Sequence, residues 1–140
     1  DPLVAVDSTQ IPMSSKKNII IGIVGPCGAG KSTLAANLTL EGYTVRHIAQ
    51  EHSYAPTMWQ RITKPDLLIY LDVSYQNTIK RRSLDWTESE YQEQGFRLRH
   101  ARQYADFYLD TNPLDQTAVF QVVLEWLQKV LPDQATIMQK

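Results

Sequence analysis

Apolar residues in this chain gather into short runs separated by polar breaks, with one long periodic stripe near the end. The first run, Ile19-Ile20-Ile21-Gly22-Ile23-Val24, is almost continuous and β-branched, as in a strand covered on both faces, so residues 18–24 predict a buried parallel strand. A helix is predicted from Lys31 to Glu41, stopping at Gly42, a residue suited to the left-handed position just past a helix end. Tyr43–Ala49 predicts a second strand, and residues 50–64 a connection with a short helix over Thr57–Ile62. After the Pro65-Asp66 break, Leu67–Leu71 predicts a third buried strand ending at Asp72, followed by a helix over Tyr75–Leu84. The polar stretch Thr87–Asp106 reads as helical, Phe107–Leu109 as a short fourth strand, and Thr111-Asn112-Pro113 as a turn. The clearest periodicity is the last: Val119, Val122, Val123, Trp126, Leu127 and Val130 recur on one helical face, with Asp115 as N-cap and Pro132 marking the end.

Strands alternating with helices predict an α/β chain: three layers, α/β/α, around a mostly parallel sheet of four to five strands. Residues 1–17 carry Pro2, Pro12, Ser14-Ser15 and Lys16-Lys17, which break any pattern; they read as an N-terminal arm or a remnant of upstream sequence. The folded domain then spans 18–131, and 132–140 is a tail. An arm that packs on a neighbour would permit a homodimer.

Composition narrows the classes. With 140 residues, 43% apolar and 21% charged, the chain suits one globular domain. A net charge of −1 gives no reason to expect a nucleic-acid partner. No apolar run reaches the ~20 residues of a membrane span, and the first residues lack a basic stretch followed by an apolar one, so neither a membrane nor a signal peptide is expected. Cys27 is the single cysteine and cannot form an internal disulfide, which suits a reducing compartment; a cytoplasmic protein is expected.

The strongest chemical signal lies between the first strand and the first helix. Gly25-Pro26-Cys27-Gly28-Ala29-Gly30-Lys31-Ser32, followed by Thr33, fits the P-loop pattern of Gly, four variable residues, then Gly-Lys-Ser/Thr. Glycines at 25, 28 and 30 allow a sharp turn and a close approach to a ligand. The loop amides and the helix N-terminus together favour an anion. Lys31 would supply a mobile charge to the β- and γ-phosphates, and Ser32 a hydroxyl for Mg²⁺. A nucleoside triphosphate is the expected ligand.

In parallel sheets ligands bind at the carboxyl ends of the strands. Glu51 follows the second strand and Asp72 ends the third. Either could serve Mg²⁺ or an acceptor hydroxyl; Glu51 reads equally as a solvated loop residue and Asp72 as a cap for the next helix. His47 falls on the helix-covered side of its strand, as a core or supporting histidine, whereas His52 lies on the ligand side as a candidate pocket residue. Tyr54, Trp59 and Arg61 occupy a segment where an acceptor pocket could form, with packing on the sheet the plainer role for Trp59. Arg97, Arg99, His100 and Arg102 form a basic cluster; Arg99 and Arg102 are i, i+3 neighbours that could close over a transferred phosphoryl group, with Arg81 and Arg82 as a second source. The alternative is a solvated helix with ion pairs to Glu88, Glu90, Glu93 and Asp106. Tyr91, Phe96 and Tyr104 are expected to hold this segment to the body.

Lys64–Val73 together with Ile79-Lys80-Arg81-Arg82 resembles the fourth-strand segment of thymidylate kinases and deoxynucleoside kinases. Phe107-Tyr108-Leu109-Asp110-Thr111-Asn112-Pro113 resembles the final-strand turn of small P-loop kinases, where that loop lies beside adenine. The resemblance implies a P-loop kinase with ATP and Mg²⁺ as cofactors, Asn112 and Pro113 beside the base, and Asp72 as a strand-end aspartate, leaving Glu51 the better match for metal or base. One departure stands out: the strand ending in Asp-Arg-Tyr or Glu-Arg-Ser that those families place before the Pro-Asp segment is missing, and Gln50-Glu51-His52-Ser53 stands in its place. The acceptor region is therefore abbreviated.

These readings converge on an ATP-dependent kinase of a small-molecule acceptor, nucleoside- or nucleotide-like. Lys31, Glu51, Arg99 and Arg102 are its candidate catalytic residues, the loop with Asn112 and Pro113 its nucleotide contacts, and Ser32, Glu51 and Asp72 its metal ligands. A nucleotide-binding module that hydrolyses slowly or not at all and signals to a protein partner is the alternative. A GTPase fits less well: no Asn-Lys-x-Asp run is present, nor Asp-x-x-Gly after an apolar strand. Cys27 within the loop would make the site sensitive to oxidation.

Overall fold

The computed structural model describes residues 19–82 and 85–131. The expected arm (1–17), the tail (132–140), Leu84 and the side chain of Arg82 lie outside the described residues. The chain is α/β, with four strands, β1 (Ile20–Val24), β2 (Thr44–His47), β3 (Leu67–Asp72) and β4 (Phe107–Asp110), all parallel and ordered β2-β1-β3-β4. The helices are α1 (Lys31–Leu40), α2 (Tyr75–Arg82), α3 (Glu88–Arg97), α4 (Arg99–Tyr104) and α5 (Gln116–Val130), with a 3₁₀ turn at Gln50–His52 and a π-helical turn at Trp59–Thr63. Among the described residues no helix is long and apolar enough to cross a membrane.

Strand alternation divides the core in two. Ile21 and Ile23 of β1 and Ile69 and Leu71 of β3 face one side, where Leu34 and Leu38 of α1 and Val119, Val123 and Leu127 of α5 pack on them. Val24, Leu68 and Tyr70 face the other side, covered by Trp59, Leu98 and Ala101. Each fully buried aliphatic side chain contributes about 1.5–3 kcal/mol of apolar burial, so the two layers fix which face each strand residue occupies. The stripe predicted on α5 holds at Val119, Val123 and Leu127 but runs out at Val130, which is 43% exposed.

Two aspartates set the strand register. Asp66, just before β3, accepts from the Ile20 amide of β1, while its own amide donates to the Ile20 carbonyl. Asp106, just before β4, does the same to β3: it accepts from Leu68 N and donates to Leu68 O. Asp106 therefore pins a strand and does not pair with the arginine cluster. At the end of α1, Gly42 takes φ 100°, Tyr43 N donates to Leu38 O and Gly42 N to Thr39 O, the pairing that closes a helix through a left-handed glycine.

The polar stretch after Thr87 is helical, as expected, but as two helices. Thr87 and Glu90 form a reciprocal cap at the start of α3, and the chain turns at Leu98, whose side chain is fully buried. Tyr91 anchors the segment by donating its hydroxyl to the Val73 carbonyl. Phe96 and Tyr104 do not: they are 62% and 54% exposed, and Leu98 and Ala101 supply the buried contacts instead.

The chain leaves β1 through α1 to reach β2 on one flank, then returns past β1 to β3 on the other. Strand order thus reverses between β1 and β3, and the crevice at their carboxyl ends is where such a sheet offers a ligand site.

Candidate functional site

The loop 25–30 rises from the end of β1 and delivers the chain into α1. Gly25, Gly28 and Gly30 all take positive φ, at 154°, 89° and 94°. Their reasons differ. A Cβ on Gly25 would stand 2.1 Å from the Leu71 carbonyl oxygen of β3, and one on Gly28 would crowd Thr78 of α2 at 3.2 Å. Those two glycines make room for the protein's own backbone and core. Of the three, Gly30 alone would point a Cβ into open space, with no protein atom within 4 Å beyond its two chain neighbours.

The loop borders a cavity of about 830 Å³. Residues 27–33 form its floor, His47, Glu51 and His52 one wall, and Arg81 with residues 114–117 the other. Leu34 is the first residue of α1 to bond back, to Gly30 O, so the amides of Lys31, Ser32 and Thr33 have no intrahelical acceptor. Not every loop amide is open in this way. Cys27 N donates to Oε1 of Gln94, a 7%-exposed residue of α3, whose Nε2 in turn donates to Cys27 Sγ at 3.2 Å. This clamp ties the loop to α3.

Lys31 is buried and makes three contacts: Nζ donates to Gly25 O at 2.6 Å and Pro26 O at 3.1 Å, and lies 3.0 Å from Glu51 Oε2. Glu51 is no solvated loop glutamate. It is 3% exposed, and its second oxygen, Oε1, has no hydrogen-bond partner. The neighbouring Gln50 explains the burial: fully enclosed, it accepts from Trp59 N and donates to the carbonyls of Ala55 and Arg97, locking the turn after β2. Ser32 Oγ sits 3.3 Å from His47 Nδ1, so His47 faces α1 as a supporting residue, but it is exposed and lines the cavity, and is no core histidine. Partial burial first, then the charges of Lys31 and His52, hold the His47 imidazole below its ordinary value, against the opposing pull of Glu51.

Arg81 is the arginine that lines the cavity. Its guanidinium donates to Thr111 Oγ1 at 2.9 Å, to Thr111 O, and to Leu114 O at 3.3 Å, bracing the chain between β4 and α5. Asp115 caps α5 by accepting from Ala118 N at 2.8 Å.

The other expected residues lie elsewhere. Arg99 is exposed, donates to Phe96 O, stacks 3.8 Å over the Phe96 ring, and borders a separate cavity of about 290 Å³ with Tyr54, Glu93, Phe96 and Arg97. Arg102 lies near Asp72, at 3.9 Å, and over Tyr108 at 5.1 Å. Asp72 does not line the main cavity: its Oδ1 accepts from Val73 N at 2.9 Å and its Oδ2 from the Tyr108 hydroxyl. Burial, and then that hydrogen bond, push the Tyr108 phenol up to about 12. Nor is Asp72 the helix cap; Ser74 takes that place, its Oγ accepting from Asn77 N. Asn112 turns toward α2, accepting from Ser74 N and Asn77 Nδ2, and residues 114–117 face the cavity instead of Asn112 and Pro113. Trp59 packs in the core and donates to His100 Nδ1 at 3.1 Å, Tyr54 is 81% exposed under the Arg97 guanidinium, and Arg61 is exposed. Arg97 pairs with Glu93, as the ion-pair alternative expects, but its side chain is only 17% exposed and it also donates to Glu51 O, so it is not a solvated arginine.

Gln94, Gln50 and the Arg81 brace are the parts sequence reasoning missed or underweighted. Gln94 left a trace, because it shares the face of Tyr91 and Leu98 at helical spacing, a polar residue on an otherwise apolar stripe. Comparison with protein-family models and with curated proteins finds no match to this chain.

Proposed function

We propose that this chain is a small P-loop phosphotransferase of three-layer α/β/α architecture that binds ATP with Mg²⁺ and transfers its γ-phosphoryl group to a small hydroxyl-bearing acceptor. One observation carries the reading: a left-handed glycine loop opens a helix at the carboxyl end of β1, and beside it a buried lysine meets a buried glutamate. The free amides of Lys31, Ser32 and Thr33 suit phosphate oxygens, and the open face of Gly30 leaves room for them. Ser32 and Glu51 would hold Mg²⁺; Glu51 Oε1, buried and unpartnered, is the oxygen such a cation would satisfy. When bound, the metal screens the charge of the phosphate chain.

The protein's own groups divide the remaining work. Lys31 exchanges the Gly25 and Pro26 carbonyls for phosphate oxygens and neutralises charge that grows on the transferred group. Glu51, with one oxygen beside Lys31 and the other facing the cation, would orient the metal and the phosphate chain, and the acceptor proton would pass to solvent. Arg81, already anchored through Thr111, adds a fixed positive charge on the opposite wall. The test is ADP release from ATP·Mg²⁺ across nucleosides, nucleotides and small hydroxyl metabolites. Acceptor-stimulated turnover that Glu51→Gln abolishes supports the kinase.

The rival reading, a nucleotide-binding module that signals to a protein partner, is favoured by the placement of Arg99 and Arg102 away from the main cavity. ATP binding with no acceptor-stimulated turnover would select it.

A further inference from the structure

Three donors of different chemistry meet at the mouth of the loop. Cys27 Sγ lies 3.8 Å from His52 Nε2, and His52 Nε2 lies 3.8 Å from Glu51 Oε2. The donor atoms of all three residues fall within 4.8 Å of one another. In a tetrahedral zinc site, with Zn–S about 2.3 Å and Zn–N about 2.0 Å, neighbouring donors stand about 3.5 Å apart. The Cys27–His52 pair would need to contract by about 0.3 Å to share a metal of that size, and the His52–Glu51 pair, measured to Oε2, by about 0.5 Å, nitrogen and oxygen donors standing about 3.3 Å apart.

A second observation concerns the same carboxylate, whose unpaired oxygen is the one for which zinc and Mg²⁺ would compete. Glu51 is buried, Lys31 occupies its Oε2, and Oε1 has no hydrogen bond. A buried charged oxygen left unpaired is costly, and a cation is one partner that removes the cost. Thiolate, imidazole and carboxylate together favour zinc over magnesium or calcium, which take oxygen donors. Gln94 adds a supporting contact, its Nε2 donating to Cys27 Sγ at 3.2 Å, the kind of hydrogen bond that stabilises a metal-bound sulfur.

We infer that Cys27, Glu51 and His52 bind one thiophilic divalent cation, zinc being the best match, and that the bound cation fastens the glycine-rich loop to the turn after β2. The sulfur–metal bond forms as the Cys27 thiol proton leaves to solvent; His52 binds through the Nε2 lone pair. Glu51 turns Oε1 to the metal while Oε2 stays with Lys31, and a water completes the fourth position. The thiolate offsets one charge of the ion, and the carboxylate is shared between the ion and Lys31. Glu51 Oε1 is then closed to Mg²⁺, so the loaded site silences phosphoryl transfer. That consequence rests on the proposed function; cation binding does not.

Zinc alone is titrated into the full chain in competition with a chromophoric chelator, and cadmium is used to read the sulfur-to-metal charge-transfer band in the ultraviolet. One zinc per chain is expected, with affinity falling about tenfold or more in Cys27→Ser and in His52→Ala. The cadmium band is expected in the wild type and absent in Cys27→Ser. His52 is exposed, so His52→Ala keeps the test decisive even where the loop variant fails to fold. Equal zinc affinity in the wild type and His52→Ala, no zinc binding, or no cadmium band overturns the site. In a second arm, zinc is added to an acceptor-stimulated assay. Inhibition relieved by a chelator is expected, and full turnover with zinc bound overturns the antagonism. Absence of any turnover would count against the kinase reading and leave the cation measurement standing.

Discussion

Lys31 Nζ sits 3.0 Å from Glu51 Oε2 with both side chains almost fully buried, so each charge depends on the other. Removing one partner of a buried pair leaves an uncompensated charge and costs about 3–5 kcal/mol. Lys31→Ala is therefore expected to lower the unfolding free energy by about that amount, read from urea denaturation. Lys31→Met combined with Glu51→Leu is expected to recover most of the loss. A Lys31→Ala protein as stable as the wild type would show that the pair carries no structural load. The same variant is a poor sole control for nucleotide binding, since it changes fold and site together.

Gln94 holds the Cys27 amide and sulfur from across the structure. Gln94→Ala strands that part-buried amide, at a cost of about 1–3 kcal/mol. Amide hydrogen exchange at residues 26–28 is expected to quicken by more than at the distant helix α5. Uniform exchange throughout would mean that the loop holds its shape without the clamp.

His47 offers a pH signature whose sign follows from its lowered pKa. The unfolded chain takes up a proton near pH 6.5 while the folded one does not, so this contribution to stability is full above about pH 6.5. It declines as pH falls below that value and levels off beneath the folded pKa. The difference in urea midpoint between pH 7.5 and 5.5, two values spanning the ordinary ~6.5, is expected to be larger in the wild type than in His47→Gln. Equal differences would place the His47 titration at its ordinary value.

Arg81 and Arg99 separate the two walls of the molecule. Arg81 lines the main cavity and braces Thr111, whereas Arg99 borders the smaller one. Arg81→Ala is expected to weaken ATP binding about tenfold or more, the scale of a lost charge-assisted contact worth about 1.5–3 kcal/mol. Arg99→Ala is expected to leave ATP affinity unchanged. Equal losses in both variants would return Arg99 to the nucleotide site.

Much of the fold was legible because local patterns agreed with tertiary ones. The β-branched run before Gly25 is β1, Gly42 closes α1 as a left-handed cap, and Asp115 caps α5. What sequence could not reveal depends on distant partners. Asp66 and Asp106 read as a break and an ion-pair residue, yet each pins the start of a neighbouring strand. Nothing local in Thr87–Asp106 marks Leu98 as the turn between two helices; its burial against the sheet decides that. The lining of the main cavity was legible at the loop, where spacing is the signal, and at Glu51, which follows β2. It was not legible at Arg99, Arg102, Asp72 and Asn112, because side-chain direction there is set by stacking on Phe96 and by contacts with Tyr108 and Asn77.

The central claim is that a nucleoside triphosphate sits on the glycine loop, and calorimetric titration with ATP·Mg²⁺ tests it most directly, in the wild type and in Gly30→Ala. A Cβ at Gly30 meets no protein atom beyond its chain neighbours, so the fold should lose only the backbone strain of about 1–2 kcal/mol, while a ligand on the loop would collide with it. Saturable one-to-one binding by the wild type, weakened about tenfold or more in Gly30→Ala beyond any change in stability, is the predicted result, tenfold being about 1.4 kcal/mol. No saturable binding by the wild type, or equal affinity in a folded Gly30→Ala, would contradict it.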